Sequence, residues 1–492
     1  MSGDGMTHAT PPHATSHAGQ ADAAPAARHP VTVIGCGLRG SPLPPGHAAA
    51  LAQAQVLAGG ARLLESFPEH PGQRIVIGAA LDAALHAMDA CRARGLRVAV
   101  LADGDPLFFG IGARLANHFG PDALRVLPAA SCLQQAAARL ALPWQDARCV
   151  SLHGRNDYRP LASALRLALH RGDPVCVLTD GHNTPGAIAR FLIERGVTGL
   201  RLHAFADMGS PDERHATLAL PCDGSGTDAR AAGAGERGEP DRRDMPDELA
   251  QLDALGGNCT VLLVPRAAPA RSLRPGSPQD TSGYATLPVL GIPDTDFAVQ
   301  ARLITKWPVR AAGLAALRIA PGDTVWDLGA GSGAVSVEAA ALARDGLVVA
   351  VERDPARVAL IEQNRRRFRA PNLQVIHAAL PDCLDDLPDP DRVFIGGGLG
   401  GERPEGGDHS PQADPLLDAV CRRLPPGGRL VVHCVLLGTL ERVRAALVRH
   451  GWPAEVACIQ ASEAVPLLGD LRLAALNPVF IVAATRPGGD AA

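Results

Sequence analysis

The chain has 492 residues, of which 46% are hydrophobic and 20% charged, and its formal net charge is −4. This length exceeds one ordinary domain core, so we expect several domains. A weakly acidic chain has no broad positive field for phosphate backbones, which argues against a nucleic-acid substrate. Eleven cysteines without a C-x-x-C pair indicate neither a disulfide framework nor a zinc site. We therefore predict reduced thiols, a cytoplasmic location and no bound metal.

The order of apolar and polar segments predicts the domain organisation. Residues 1–29 contain no apolar run fit for a signal peptide or a membrane span, so we expect a disordered tail and no membrane contact. In residues 30–266, β-branched runs alternate with Ala- and Leu-rich stretches, which predicts an α/β domain with mostly parallel sheets. The polar segment 222–248 within it has the composition of a flexible insertion.

A second break in the pattern separates two halves of the chain. Residues 267–287 are rich in Pro, Ser and Gly, which is typical of a linker, so we expect each half to fold alone. In residues 288–492 six or seven apolar runs are separated by helical stretches. This pattern predicts a complete doubly wound, Rossmann-like domain.

A glycine-rich turn follows the first long strand of that second domain, in the segment "VWDLGAGSGAV". Its glycines allow a cofactor to approach bare backbone, and the next helix offers N–H groups. Glu352 ends the following strand and suits ribose hydroxyls. Asp327 would repel a pyrophosphate but attract the ammonium and sulfonium of S-adenosylmethionine (AdoMet), so AdoMet is favoured over NAD and over a merely structural turn. The predicted contacts are Asp327, Gly329, Ala330, Gly331, Ser332, Gly333 and Glu352.

This pattern of an acid and three spaced glycines, with Glu352 beyond, resembles the class I AdoMet-dependent methyltransferases. The resemblance implies that Thr305 and Ala378 also contact AdoMet. Members that methylate amino groups commonly carry an Asn/Asp-Pro-Pro-aromatic set after the fourth strand, whereas this chain reads "FIGGG" at 394–398. The glycines suit either an open floor for a large flat substrate or a flexible loop.

The first half carries a different series of motifs: "VTVIGCGLRG", "VLADGDPLFFG" and "LPAASCLQQ". Their order and spacing resemble the tetrapyrrole methylase superfamily, which implies a two-lobed α/β fold with AdoMet held between the lobes. In two places the chain departs from the family, since G-x-G-P-G is here "GCGLRG" and the paired serine is Ser-Cys. The implied AdoMet contacts are Gly35, Gly37, Gly104, Asp105, Ser131 and Cys132.

The fusion of these two domain types resembles the bifunctional methyltransferases of corrin-ring biosynthesis. It implies one AdoMet site in each half, and methylation of meso carbons 5 and 15 of a reduced tetrapyrrole. It also implies loss of carbon dioxide from the ring C acetate, in the second half. Both parent families tend to form homo-oligomers. The rival hypotheses are a nucleic-acid or protein methyltransferase with a degenerate first half, and a scaffold that has lost one AdoMet site.

Three side chains are candidate catalytic or substrate-binding residues. Lys306 and Arg310 are natural partners for the carboxylates of such a substrate, although a solvated helix face explains them nearly as well. His433 lies at a predicted strand end and could move a proton, or it could be a core histidine.

Overall fold

The computed structural model describes residues 28–38, 40–221, 245–266, 290–300, 304–396, 399 and 414–488. The chain divides into two compact units, Met1–Ser131 and Cys132–Ala492. The predicted linker 267–287, and nearly all of the predicted tail and insertion, lie outside the described residues. The boundary placed at that linker therefore stays a prediction. Within the described residues no helix combines the length and apolar character needed to cross a membrane.

The first unit is built on one parallel sheet of five strands, in the order β3-β2-β4-β1-β5. The β-branched strand β1 lies inside the sheet between β4 and β5 and is largely buried, as expected for a parallel sheet covered on both faces. Apolar clusters lie on each face of the sheet. The elements are β1 Val31–Cys36, α1 Pro45–Ala52, β2 Val56–Gly59, α2 Ala61–Glu65, β3 Gln73–Val76, α3 Leu81–Ala93, β4 Val98–Asp103, α4 Gly112–Phe119 and β5 Leu124–Leu127.

The second unit begins with a mixed sheet, in the order β6-β7-β10-β8-β9. Only the β6–β7 pairing among these strands is parallel, whereas a mostly parallel sheet was predicted. For the β8–β9 pair the reason lies in the short connecting segment 207–213, which can form a hairpin but not a parallel crossover. The elements are α5 Cys132–Arg139, β6 Arg148–Ser151, α6 Arg159–Arg171, β7 Val175–Leu178, α7 Pro185–Glu194, β8 Leu200–Ala206, β9 Arg214–Ala219, α8 Met245–Ala254 and β10 Cys259–Pro265.

Helix α8 corrects the predicted bounds of the polar insertion. The helix starts at Met245, so the last four residues of the predicted segment 222–248 are helical. Met245 also packs against the apolar core of this sheet. Residues 222–244 lie outside the described residues.

The rest of the second unit is a doubly wound domain, in agreement with the predicted fold class. Its sheet has seven strands in the order β13-β12-β11-β14-β15-β19-β16, and β17 and β18 form a separate hairpin. Apolar clusters fill both faces of the sheet. The elements are α9 Trp307–Leu317, β11 Thr324–Leu328, α10 Ala334–Leu342, β12 Leu347–Glu352, α11 Pro355–Arg367, β13 Leu373–His377, β14 Arg392–Ile395, α12 Pro415–Arg423, β15 Arg429–Cys434, α13 Leu437–Arg449, β16 Ala454–Ile459, β17 Ser462–Leu467, β18 Asp470–Ala475 and β19 Val479–Thr485.

The strand order reverses between β11 and β14, which are neighbours in the sheet but not in the chain. In open α/β sheets such a reversal opens a crevice beyond the carboxyl ends of the strands, where ligands bind. The glycine-rich turn after β11 therefore lies beyond the carboxyl ends of the parallel strands, where this fold binds ligands.

Candidate cofactor site

The glycine-rich turn after β11 depends on left-handed backbone. Gly329, Gly331 and Gly333 have φ values of 76°, 61° and 78°, which L side chains rarely adopt. The N–H groups of Gly329 and Ala330 donate to the Val351 carbonyl of β12, at 2.9 and 3.0 Å. The turn is thus attached to the neighbouring strand before it enters α10.

Glu352 fixes the middle of this turn. Its carboxylate is 5% exposed and accepts from the Gly331 N–H at 2.9 Å. The other oxygen accepts from the N–H groups of Arg353 and Asp354, at 3.0 and 3.1 Å. A carboxylate has about four acceptor positions, so these three bonds leave capacity for one hydroxyl donor.

Asp327 lies at the end of β11, but it faces the interior. The residue is 1% exposed and accepts a hydrogen bond from the Ser336 hydroxyl of α10. The pKa of Asp327 is raised to about 7: burial is the largest cause, the hydrogen bond from Ser336 lowers the pKa, and the charge of Glu352 raises it. The carboxyl can therefore exchange its proton near neutral pH.

The turn is open at one glycine and closed at another. A Cβ at Gly331 would have no atom within 4 Å, whereas a Cβ at Gly333 would lie 2.9 Å from Ile361 Cγ2 of α11. Gly333 therefore serves packing, and Gly331 borders free space beside Glu352. These features fit AdoMet: open backbone, a carboxylate with acceptor capacity, and a nearby acid that a cation would ionise.

The remaining predicted contacts of this domain differ in how closely the structure ties them to the turn. Ala378 follows β13, and its N–H donates to the Glu352 carbonyl at 3.1 Å. Ser332 is buried, and its carbonyl accepts from the Asn364 side chain at 2.8 Å. Thr305 is half-buried just before α9. The sequence reasoning missed Ser336 and Asn364, which could have been noticed only as polar residues within otherwise apolar helix faces.

The structure contradicts the predicted carboxylate-binding role of Arg310. Its side chain is fully buried on α9, and four of its five N–H donors are in use. They bond to Glu338 at 2.9 Å, to Asp294 at 3.0 Å, to the Thr305 carbonyl at 2.6 Å and to the Ile292 carbonyl. Arg310 therefore holds the segment before α9 against α10 and is not available to a substrate.

Of the other two candidates, Lys306 has partners within the protein and His433 is packed in the core. Lys306 is half-buried, with its Nζ 3.5 Å from Asp294 and 3.4 Å from Glu463. His433 is 3% exposed, and its Nε2 has no hydrogen-bond partner among the described residues. Burial lowers the pKa of His433 to about 4. A Cβ at Gly313 of α9 would lie 2.2 Å from that Nε2, so the ring is packed in the core between sheet and helix.

In the first unit the predicted glycines bring three backbone segments together. A Cβ at Gly35 would lie 2.2 Å from the Gly104 carbonyl oxygen, and a Cβ at Gly104 would lie 2.8 Å from Ser131 Cα. Gly104 also has a φ of 58°. The ends of β1 and β4 and the segment after β5 therefore meet in close contact, which larger residues would prevent.

The other predicted contacts of the first half are less constrained. A Cβ at Gly37 would be in ordinary contact with Ser41, at 3.5 Å. Asp105 accepts from the Leu107 N–H at 2.9 Å and so shapes its own turn. Cys132 begins α5 and belongs to the second unit. Their contacts with AdoMet stay predictions.

Family models match both halves of the chain. Residues 30–221 match the tetrapyrrole (corrin/porphyrin) methylases, and residues 296–486 match the precorrin methyltransferase domain. The chain is 32% identical over 365 residues to a precorrin-6Y C(5,15)-methyltransferase [decarboxylating] of Sinorhizobium sp, covering 72% of this chain and 74% of the relative.

Two relatives are shorter. The chain is 40% identical over 167 residues to a cobalt-precorrin-7 C(5)-methyltransferase of Salmonella typhimurium, covering 34% of this chain and 79% of that one. It is 34% identical over 182 residues to a cobalt-precorrin-6B C(15)-methyltransferase (decarboxylating) of Salmonella typhi, covering 37% and 88%.

A tetrapyrrole methylase region followed by a doubly wound domain with an open glycine turn defines the chain as a methyltransferase of tetrapyrroles. Within that class, the chain belongs to the family of precorrin-6Y C(5,15)-methyltransferases (decarboxylating), which are enzymes of cobalamin biosynthesis. The predicted family and fold class are thereby confirmed.

Proposed function

We propose that the chain itself methylates precorrin-6Y at carbons 5 and 15 and removes carbon dioxide from the ring C acetate, with one AdoMet bound in each half. The printed activity of the Sinorhizobium relative supports this substrate. The two family models, one on each half, support two transfer sites. We also expect a homo-oligomer, as in both parent families, and a cytoplasmic location, as the cysteine content predicted.

The observation that carries the proposal is the open backbone of Gly331 beside Glu352. AdoMet supplies an electrophilic methyl group when it is bound. The open turn would give it backbone to lie on, and Glu352 would accept from one ribose hydroxyl while it holds the turn. Asp327, once ionised, attracts the ammonium group. These residues position the methyl donor, and such positioning is most of what transfer to an electron-rich carbon requires.

We assign the carbon-15 methylation and the decarboxylation to residues 296–486, and the carbon-5 methylation to residues 30–221. The Salmonella typhi relative carries the first activity in its name and aligns over only 182 residues. Its named substrate is cobalt-precorrin-6B, and that of the carbon-5 relative is cobalt-precorrin-7. The carbon-15 step therefore comes first in our proposal.

The first step balances without another reactant. AdoMet held at the turn of Gly331 and Glu352 would supply the methyl carbon to the meso carbon, and its sulfonium would become a thioether. The bond between the acetate carbon and its carboxylate breaks, and carbon dioxide departs. The electron pair left on the exocyclic carbon is delivered into the conjugated ring, where it offsets the positive charge that the methyl group brings. No net proton is taken up, so a proton that later adds to the exocyclic carbon is matched by one lost from the macrocycle.

The test uses the full chain with Gly331→Val, which fills the open space beside Glu352. A matched control is Gly451→Val, since Gly451 has a similar φ of 68° and likewise has no atom within 4 Å of a Cβ. Both changes strain the backbone alike. With a precorrin-6Y substrate, we expect Gly331→Val to yield neither methylation nor carbon dioxide, and Gly451→Val to yield the doubly methylated product.

The same variant separates the two halves. Given the decarboxylated intermediate methylated at carbon 15, the Gly331→Val chain should still add one methyl group, as read by product mass. If Gly331→Val still releases carbon dioxide, the assignment of decarboxylation to the second half fails. A transfer of labelled methyl to RNA or protein in place of the precorrin would favour the rival methyltransferase hypothesis.

A further inference from the structure

The second unit contains two parts of the chain that meet across a polar surface. We call residues 132–221 and 245–266 the lobe, and residues 290–488 the methyltransferase domain. Arginines in the last turn of α11 and just beyond it, in the domain, contact helix ends of the lobe. Arg365 donates to the Glu194 carbonyl of α7 at 2.9 Å, and Arg369 donates to the Leu169 carbonyl of α6.

These arginines meet groups that need a donor. Glu194 and Leu169 lie among the last four residues of their helices, where backbone carbonyls have no partner within the helix. A helix carboxyl end also carries partial negative charge, which attracts a guanidinium. The arginine-rich segment of one part thus caps two helices of the other.

A reciprocal contact runs from the lobe to the domain. Arg166 of α6 is 2% exposed and donates to the Ala340 carbonyl of α10 at 2.6 Å. Asn372 donates to the same carbonyl at 3.0 Å. Beside them, the Ser163 hydroxyl donates to Asp345 at 2.7 Å. An arginine buried this completely needs its partner, because an unpaired buried charge is strongly destabilising.

Gly196, just after α7, lies directly against the domain. It has a φ of 59°, and a Cβ there would lie 2.9 Å from Arg366 Cγ of the domain. Backbone and arginine stem are therefore packed without space for a side chain. Such fitting is typical of a specific interface and not of two domains joined by a flexible tether.

The surface of the domain that contacts the lobe lies at the amino ends of the parallel strands, opposite the end that carries the glycine-rich turn. Asp345 and Asn372 precede β12 and β13, at the amino ends of these parallel strands, while Gly331 follows the carboxyl end of β11. The lobe therefore packs against the domain without covering the carboxyl ends of the strands, which carry the candidate AdoMet turn.

We propose that this arginine-capped surface is a binding interface that holds the lobe to the methyltransferase domain without any help from the segment between them. The partner of each part is the other part of the same chain. The two halves of the chain then form one assembly, contrary to the tethered, independent halves that the linker composition predicted.

The experiment places a protease recognition site within residues 267–287 of the full chain and cuts it after purification. We expect the two fragments to elute together in size-exclusion chromatography at micromolar concentration. Arg369→Ala and Arg166→Met should each weaken this association about tenfold or more, because each removes a charged donor from a carbonyl that then has fewer partners.

Two matched controls come from the same helices. Arg367→Ala removes an exposed arginine from the end of α11, and Arg171→Met removes an exposed arginine from the end of α6, so both should leave the association within about twofold of the unaltered chain. The melting temperature of each uncut variant checks that it folds. Fragments that separate after cutting, or arginine variants that behave like their controls, would overturn the proposal.

Discussion

At the scale of single residues, Asp327 has two states that differ by one proton near neutral pH. Burial raises its pKa to about 7, far above its value of 3.8 in the open chain. Below pH 7 the free protein holds the carboxyl mostly protonated. The folded state thus binds more protons than the unfolded state between about pH 4 and 7, so the free energy of unfolding falls as pH rises through that window.

The raised pKa predicts that AdoMet binding in the second half releases a proton. A bound ammonium favours the carboxylate of Asp327, so affinity should rise as pH increases from about 6 to 8. Calorimetry in buffers of different ionisation enthalpy measures the number of protons released on AdoMet binding. The signal of the second half is the part that is lost in the Gly331→Val variant. Asp327→Asn keeps the size of the side chain but cannot titrate. If that variant retains the same pH dependence, Asp327 is not the group responsible.

Glu352 permits a second prediction at this scale. Glu352→Gln replaces a carboxylate that we expect to serve both the turn and one ribose hydroxyl, so AdoMet binding in the second half should weaken by about 1–3 kcal/mol. Glu441→Gln on the exposed side of α13 is the matched control and should change nothing. The measurement is the AdoMet dissociation constant of the full chain. An unchanged constant in a folded Glu352→Gln protein would remove this residue from the site.

At the scale of elements, the start of α8 fixes how much of the polar insertion can be removed. Met245 packs into the core of the mixed sheet, but residues 223–243 are polar and lack apolar periodicity. We predict that deleting 223–243 leaves the melting temperature and methyl transfer unchanged. Deleting 222–248 should lower the melting temperature, because it also removes the first turn of α8. Equal melting temperatures for the two deletions would contradict this role of α8.

The elements also show how far the sequence alone could reach. Alternating apolar runs were enough to find β11 and β12, because strands buried on both faces read as continuous apolar segments. The direction of β8, β9 and β10 was not predicted, since it depends on how long their connections are once folded. Motif spacing located Gly331 and Glu352. It could not tell that Arg310 is buried, because a basic residue on a helix reads the same whether it faces solvent or Glu338.

At the scale of the whole chain, the two ends of the parallel strands in the methyltransferase domain have different contacts. The turn that we assign to AdoMet lies at the carboxyl ends of the strands, and the contacts with the lobe lie at their amino ends. Contacts at the amino ends of the strands can therefore hold the lobe to the domain without blocking the candidate cofactor site at the carboxyl ends. The two halves can therefore form one assembly while each half carries out its own methyl transfer.

The last prediction is the number of AdoMet molecules that one chain binds. If each half has its own site, calorimetry of the full chain should give two per chain, and Gly331→Val should reduce this to one, because that change blocks only the turn after β11. The Gly451→Val control should keep two, since its strain is similar but its turn lies away from the open space beside Glu352. A single molecule per unaltered chain would revive the hypothesis that one half is a scaffold. If the remaining site then disappears with Gly331→Val, the half that has lost AdoMet is the first.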